Sequence, residues 1–233
     1  MDIFQARKFA SQEGWLSQTP EAFRNAILDK SLFKSFEPGA ALYSIGDLEG
    51  GIYCLLRGGL RVSIAAGENG PYLAHLFRPG IWVGEAPLIK GVPRMLGLTA
   101  AGQTDTLTVP LHALQDILRR DPAAWRHIAL LAFTNSELAV NVVSDLLVRD
   151  HSQRLVAVLM RLGNCSNPGL PGASGIEIAV SQEELAAMSN VARTTVNSTL
   201  RQLQATGAVE ITYRRIKIVA PEKLRAMLIE EKV

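Results

Sequence analysis

Between Ser181 and Val219 the chain carries polar side chains at spacings that could hold a nucleic acid. Ser181 followed by Glu184 has the spacing of a capping box, which starts a helix over SQEELAAM. After a short break at Ser189-Asn190-Val191, a second amphipathic segment runs from Arg193 to about Ala205. Val196, Leu200 and Leu203 would be its buried face. Arg193, Thr194, Asn197, Ser198 and Arg201 fall opposite, beside Thr195. That face has two arginines and no carboxylate, so nothing on it repels phosphate or competes for base edges. Gly207 ends the helix, and two β-rich runs, VEIT and IKIV, flank a basic tip at Tyr213-Arg214-Arg215. The arrangement implies a second helix entering the major groove of double-stranded DNA. Arg193 is then the candidate for a guanine contact, while Ser181, Gln182, Arg201, Arg214 and Arg215 are placed for phosphate. Ala192 lacks the N-cap hydroxyl that typically contributes about 1 kcal/mol.

Other elements must position that segment. Residues 163–179, GNCSNPGLPGASGIEIA, are rich in glycine, proline and serine and are expected as a surface loop. Upstream, Asp121-Pro122 suits a helix start, and about forty residues follow without glycine or proline. Leu131, Leu138, Val142 and Leu146 fall at spacings of seven, four and four, an apolar stripe on one face. A single helix over 121–162 would be about 60 Å long at 1.5 Å per residue. The stripe is expected as a dimer interface, because two-fold DNA readers need a rigid spine between half-sites; a core helix within one domain is the alternative. From Phe36 to Pro110 short runs (ALYSIGD, GIYCLL, GGLRVSIA, YLAHLF, LGLTAA) are punctuated by glycine and predict strands of a small antiparallel barrel or sandwich. Residues 1 to about 36 have helical spacing, as at Phe23, Ile27 and Leu28. The expected fold class is α+β. An antiparallel β-barrel or jelly roll occupies 1–120, a dimerisation helix 121–162 and a winged helix-turn-helix 163–233.

Composition narrows the function classes. The chain has 233 residues, is 48% hydrophobic and 20% charged, and carries a net charge of +2, which permits a nucleic-acid partner without demanding one. Cys54 and Cys165 are the two cysteines, far apart, too few for an iron–sulfur cluster or a disulfide framework. Cys54 in IYCLL reads as a buried strand residue; Cys165, in the loop, is the thiol best placed for redox sensing. His75, His112, His127 and His151 are isolated and show no haem or metal pattern. No signal-like stretch and no run of about 18 apolar residues occurs, so a cytoplasmic location without membrane insertion is expected. No nucleophile–base pairing, metal cluster or phosphate loop is found, so neither an enzyme nor a resident cofactor is expected.

FEPGAALYSIGDLEGGIYCLLRGGLRV and FRPGIWVGEAPLIKGVPRMLGLTA in the barrel, together with SQEELAAMSNVARTTVNSTLRQL, resemble the Crp/Fnr superfamily of bacterial transcription regulators from about Phe36 to Val219. The resemblance implies a homodimer on a palindromic operator, RNA polymerase as a partner, and a sensory barrel whose effector modulates activity. Members that bind cyclic nucleotides hold sugar and phosphate with a Gly-Glu turn and a downstream arginine, matched here by Gly84-Glu85 and Arg94. The chemistry suits a ribose hydroxyl and an anionic phosphate. Two departures stand against that ligand. Met95, followed by Leu96, replaces a small residue, and Ala139 and Val140 replace the hydroxyls that meet the purine. Glu85 and Arg94 could instead form a structural ion pair, with Met95 and Leu96 filling the pocket; the effector is not identified. The recognition helix also departs from the family's best-known form, with Ala192, Arg193, Thr194 and Ser198 where that form has serine, arginine, glutamate and a second arginine. A different operator is expected. A second reading is a ligand-binding module that regulates a partner protein through the C-terminal hairpin.

Overall fold

The computed structural model describes residues 1–66, 69–165 and 175–229. The chain divides into two compact units, Met1–Tyr72 with Leu76–Leu138, and Leu73–His75 with Ala139–Val233. The division falls at Leu138–Ala139, within the segment 121–162 expected as the dimerisation helix.

In the first unit, Asp2 and Gln5 form a capping box that starts α1 (Ile3–Gln12), followed by α2 (Gly14–Ser17) and α3 (Glu21–Asp29). Phe23, Ile27 and Leu28 are buried, as their spacing predicts. The helical segment stops at Asp29, and the residues up to Phe36 form β1 (Leu32–Phe36). β2 (Ala41–Tyr43), β3 (Gly51–Arg57), β4 (Leu60–Ala66), β5 (Asn69–Phe77), β6 (Trp82–Val83), β7 (Leu96–Ala100) and β8 (Thr104–Pro110) follow. They form two four-stranded sheets, β1-β8-β3-β6 and β2-β7-β4-β5. Pairing is antiparallel, the double-sheet architecture expected of this region.

The continuous apolar run of β3 has a simple cause: both its faces are covered. Tyr53 and Leu55 enter the core between the sheets with Leu60, Val62 and Leu98. Ile52, Cys54 and Leu56 pack on the other side against the helices, with Leu16, Ile27 and Leu114. A strand buried on both faces has no alternation to show.

After α4 (Ala86–Lys90) and α5 (Leu111–Arg120), Asp121 caps a 3-10 turn by accepting from Ala123 N at 3.1 Å. The turn leads into α6 (Trp125–Leu147), and a separate helix, α7 (His151–Leu162), follows. The expected continuous helix over 121–162 is therefore corrected to a 23-residue helix and a 12-residue one. The first is about 35 Å long. The break has local causes: the Asp150 carboxylate accepts from Gln153 N at 2.8 Å and starts α7 afresh, and Arg154 takes the α6-end carbonyl of Val148 at 3.1 Å.

Two residues of the expected interface stripe pack within the protomer. Leu131 is 1% exposed within the helix-side core, and Leu138 packs on the core between the sheets. Both are spent inside the protomer. Val142 is half-buried, and Leu146 remains exposed. A second apolar stripe, Phe133, Val140, Val143 and Leu147, is 56–76% exposed along the helix. Residues 122–147 are long and apolar enough, at mean hydropathy 1.2, to cross a membrane by length and composition.

In the second unit, α7 packs on α8 (Gln182–Ser189), α9 (Arg193–Ala205) and α10 (Pro221–Ile229). β10 (Val209–Thr212) and β11 (Arg215–Ile218) form the expected hairpin, called here the wing. Part of the segment expected as a loop forms β9 (Ile176–Ile178), paired with β11; residues 166–174 of that expectation lie outside the described ones.

Candidate nucleic-acid interface and effector cassette

The helix pair forms as its residue types dictate. Ser181 Oγ accepts from Glu184 N at 3.2 Å, and Glu184 Oε2 accepts from Ser181 N at 2.7 Å, closing the capping box of α8. α8 ends at Asn190, in the left-handed conformation that asparagine tolerates. Ala192 is the N-cap of α9 and supplies no side-chain bond. Val196, Leu200 and Leu203 are fully buried. Arg193, Thr194, Ser198 and Arg201 are exposed, while Thr195 and Asn197 are half-buried.

The starts of α8 and α9 and the wing border a common cleft of about 470 Å³, lined by Ser181, Gln182, Arg193, Tyr213, Arg214 and Arg215 among others. The tip is mostly solvent-facing, with Tyr213 89% exposed. Arg214 and Arg215 are not equivalent. Arg215 pairs with Glu177 of β9, an exposed bond that costs little to break, whereas Arg214 occupies the turn itself with φ +56°. Glu183 also lines the cleft, a carboxylate that the polar face of α9 alone does not reveal.

One positioning residue escapes sequence reasoning. Arg154 of α7 donates from Nε to Ser189 O at 2.7 Å and from Nη2 to Asn190 O at 3.2 Å, besides its bond to Val148. A single guanidinium thus joins the end of α6 to the turn between α8 and α9. Only its fork geometry could have suggested this, and one arginine among many gives no such signal.

In the barrel, Arg94 meets the Gly84 backbone, whereas Glu85 turns to another partner. The Arg94 side chain is 4% exposed. Its guanidinium donates to Glu49 O from Nε (3.4 Å) and Nη2 (3.1 Å), to Gly51 O from Nη2 (3.1 Å) and to Gly84 O from Nη1 (3.3 Å). It lies over the Tyr43 ring, 3.9 Å from its centroid. Among the described residues no carboxylate pairs with it. Glu85 instead accepts from Asn135 Nδ2 of α6 at 3.0 Å, so the alternative of a Glu85–Arg94 ion pair is corrected. Met95 does not fill the pocket, being 77% exposed; Leu96 packs against the inter-sheet core. Ala139 and Val140 lie on the exposed side of α6.

Backbone geometry fits the seated arginine. Gly50 (φ +111°) would bring a Cβ to 2.9 Å from Arg94 Nη2, and Gly84 (φ +103°) one to 3.1 Å from Nη1. Burial raises the Tyr43 and Tyr53 phenols, against the lowering effect of Arg94. Outside them opens a cavity of about 400 Å³ bordered by Tyr43, Asp47, Glu49 and Tyr53. A cyclic nucleotide does not fit this arrangement. Drawing the guanidinium toward a phosphate would strip three carbonyls of their donors, about 1–3 kcal/mol for each one left buried and unpaired.

Residues 33–121 match the cyclic nucleotide-binding domain family, and residues 153–227 match the Crp-like helix-turn-helix domain. The chain belongs to the Crp/Fnr family of transcription regulators. It is 24% identical over 196 residues to the global nitrogen regulator of Synechococcus elongatus, covering 82% of this chain and 87% of that one. To the CRP-like cAMP-activated global transcriptional regulator of Mycobacterium tuberculosis it is 20% identical over 189 residues, covering 81% and 84%. Among solved structures, FixK2 of Bradyrhizobium japonicum has the same fold, at a TM-score of 0.71 and 16% identity over 84% of this chain and 96% of that one.

As a Crp/Fnr protein the chain is a DNA-binding regulator, and the reading as a module acting only on a partner protein is not favoured. The redox role considered for Cys165 is corrected by burial: it is 1% exposed and its thiol donates to Gly163 O at 3.2 Å. The Cys54 thiol is buried too, which raises its pKa and keeps it protonated.

Proposed function

We propose that this Crp/Fnr regulator works as a cytoplasmic homodimer on a palindromic operator, with residues 1–120 as regulatory barrel, α6 as pairing helix and 163–233 as reader. It acts without catalysis and engages RNA polymerase as its family resemblance implies. The observation that carries the reading is the common cleft of Arg193 and the wing, beside the exposed Thr194, Ser198 and Arg201. Arg193, at the first turn of α9, reaches a guanine edge; Thr194, Thr195, Asn197 and Ser198 border the neighbouring bases. Ser181, Gln182, Arg201, Arg214 and Arg215 hold phosphate and set the register. The second copy covers Phe133, Val140, Val143 and Leu147, a face too apolar for water on a helix that also carries Asn135, Glu137, Asn141 and Asp145, which suit a bilayer poorly.

Selection from a random duplex pool tests this. The expected product is an inverted repeat with half-site centres about 34 Å apart. Arg193→Ala then relaxes preference at one base pair per half-site by about 1–3 kcal/mol and leaves the rest of the site legible. Enrichment of no duplex sinks the DNA assignment; a single unpaired half-site sinks the palindrome.

A further inference from the structure

We infer that Arg94 is the permanent internal occupant of the barrel's anion cassette, so that the barrel takes no cyclic nucleotide and operator binding needs none. The guanidinium that would meet a phosphate spends its donors on the carbonyls of Glu49, Gly51 and Gly84 and has one face against Tyr43. Seated at 4% exposure, it presents almost no surface to a ligand. The glycines at 50 and 84 complete the seat, since a Cβ at either crowds the guanidinium nitrogens. The neighbouring cavity, bordered by Tyr43, Asp47, Glu49 and Tyr53, carries two acidic residues and, among the described residues, no cation, a poor setting for an anion. Glu85, whose partner in a nucleotide complex would be a ribose hydroxyl, is held by Asn135. The family's anion site has become a structural joint between the β2–β3 loop, the β6–α4 turn and the α4–β7 loop.

The claim about the nucleotide stands on the barrel alone; the claim about operator binding rests on the DNA-reading function. The test uses the purified full chain, titrated calorimetrically with cyclic AMP and, separately, cyclic GMP, each to about 1 mM, where even weak binding registers. The expected result is no saturable heat with either; saturable heat with either one overturns the inference. The affinity for the selected duplex is then measured with and without each nucleotide. A change below about twofold supports independence, and a larger change overturns it. Finally, a structural arginine and a ligand-binding one differ in the ligand-free protein. Arg94→Lys is expected to lower Tm by about 4 °C or more with nothing bound, because a single ammonium nitrogen lacks the spread of the guanidinium fork that reaches three carbonyls. An unchanged Tm removes the structural role. If the chain selects no duplex, the calorimetry still decides the first claim.

Discussion

Arg214 combines a left-handed backbone with a side chain for which a phosphate contact is proposed. The two-residue connection of the wing is Tyr213-Arg214, set by the pairing of Thr212 with Arg215. With φ +56° at Arg214, the turn needs a left-handed residue at the position where type II turns prefer glycine or asparagine. An arginine there costs roughly 1 kcal/mol of backbone energy. The basic side chain borders the cleft of Arg193, and the phosphate contact proposed for it would give the strain a purpose. Arg214→Gly should therefore stabilise the fold by about 0.5 kcal/mol, less than the full strain because glycine loses more entropy on folding. The same variant should weaken binding evenly across sequences and reduce the salt slope by about 1. Chemical denaturation and duplex binding at several salt concentrations check the two halves independently. A loss confined to one base pair would make Arg214 a base reader instead.

At the scale of elements, the break between α6 and α7 matters more than either helix. It divides α6 from α7, and Arg154 spans it by bonding Val148, Ser189 and Asn190. A break so held makes a defined joint, because three carbonyls at helix ends depend on one planar donor. Removing the side chain leaves helix-end carbonyls to partial solvent and frees α8 and α9 to turn on α7. Arg154→Ala is expected to lower stability by about 2–3 kcal/mol and to weaken binding uniformly, with the selected consensus unchanged. Arg154→Lys should recover little of either loss, since a point charge cannot copy the fork. Restoration by lysine would show that charge, not geometry, is what the joint uses.

At the scale of the whole molecule, the exposed stripe on α6 is the feature that a lone chain does not explain. Phe133, Val140, Val143 and Leu147 recur at spacings of seven, three and four, the pattern of a helix that meets another along its length. A two-fold pairing counts every residue twice, so charges placed there act twice. The double variant Phe133→Asp with Val140→Asp should weaken dimerisation by more than about 100-fold, from the loss of roughly 1.5–3 kcal/mol per buried side chain. Sedimentation of the wild-type chain as a dimer and of the variant as a monomer is the expected pair of results. A wild-type monomer at micromolar concentration would show that the stripe meets some other partner.

The sequence by itself determined the reader and the double-sheet architecture. The capping box at Ser181, the buried positions of α9, the hairpin runs and the glycine-punctuated strands are all local signals, settled by caps, turn chemistry and period within a dozen residues. What the tertiary structure decided depends on partners far away in the chain. α6 carries two apolar stripes, and periodicity cannot say that Leu131 and Leu138 go to the protomer's own core while Phe133 and Val140 stay outside. β6 is two residues long and β8 reads as mostly polar, so neither announces itself as a strand without the neighbours it pairs with. Arg94 matches a ligand-binding motif by type and spacing. Its actual partners are carbonyls of Glu49, Gly51 and Gly84, and a motif of side chains carries no information about which backbone oxygens will be in reach. Local order comes from neighbours in sequence, whereas the direction of a buried charge is settled by whatever else has to be satisfied once the core has closed.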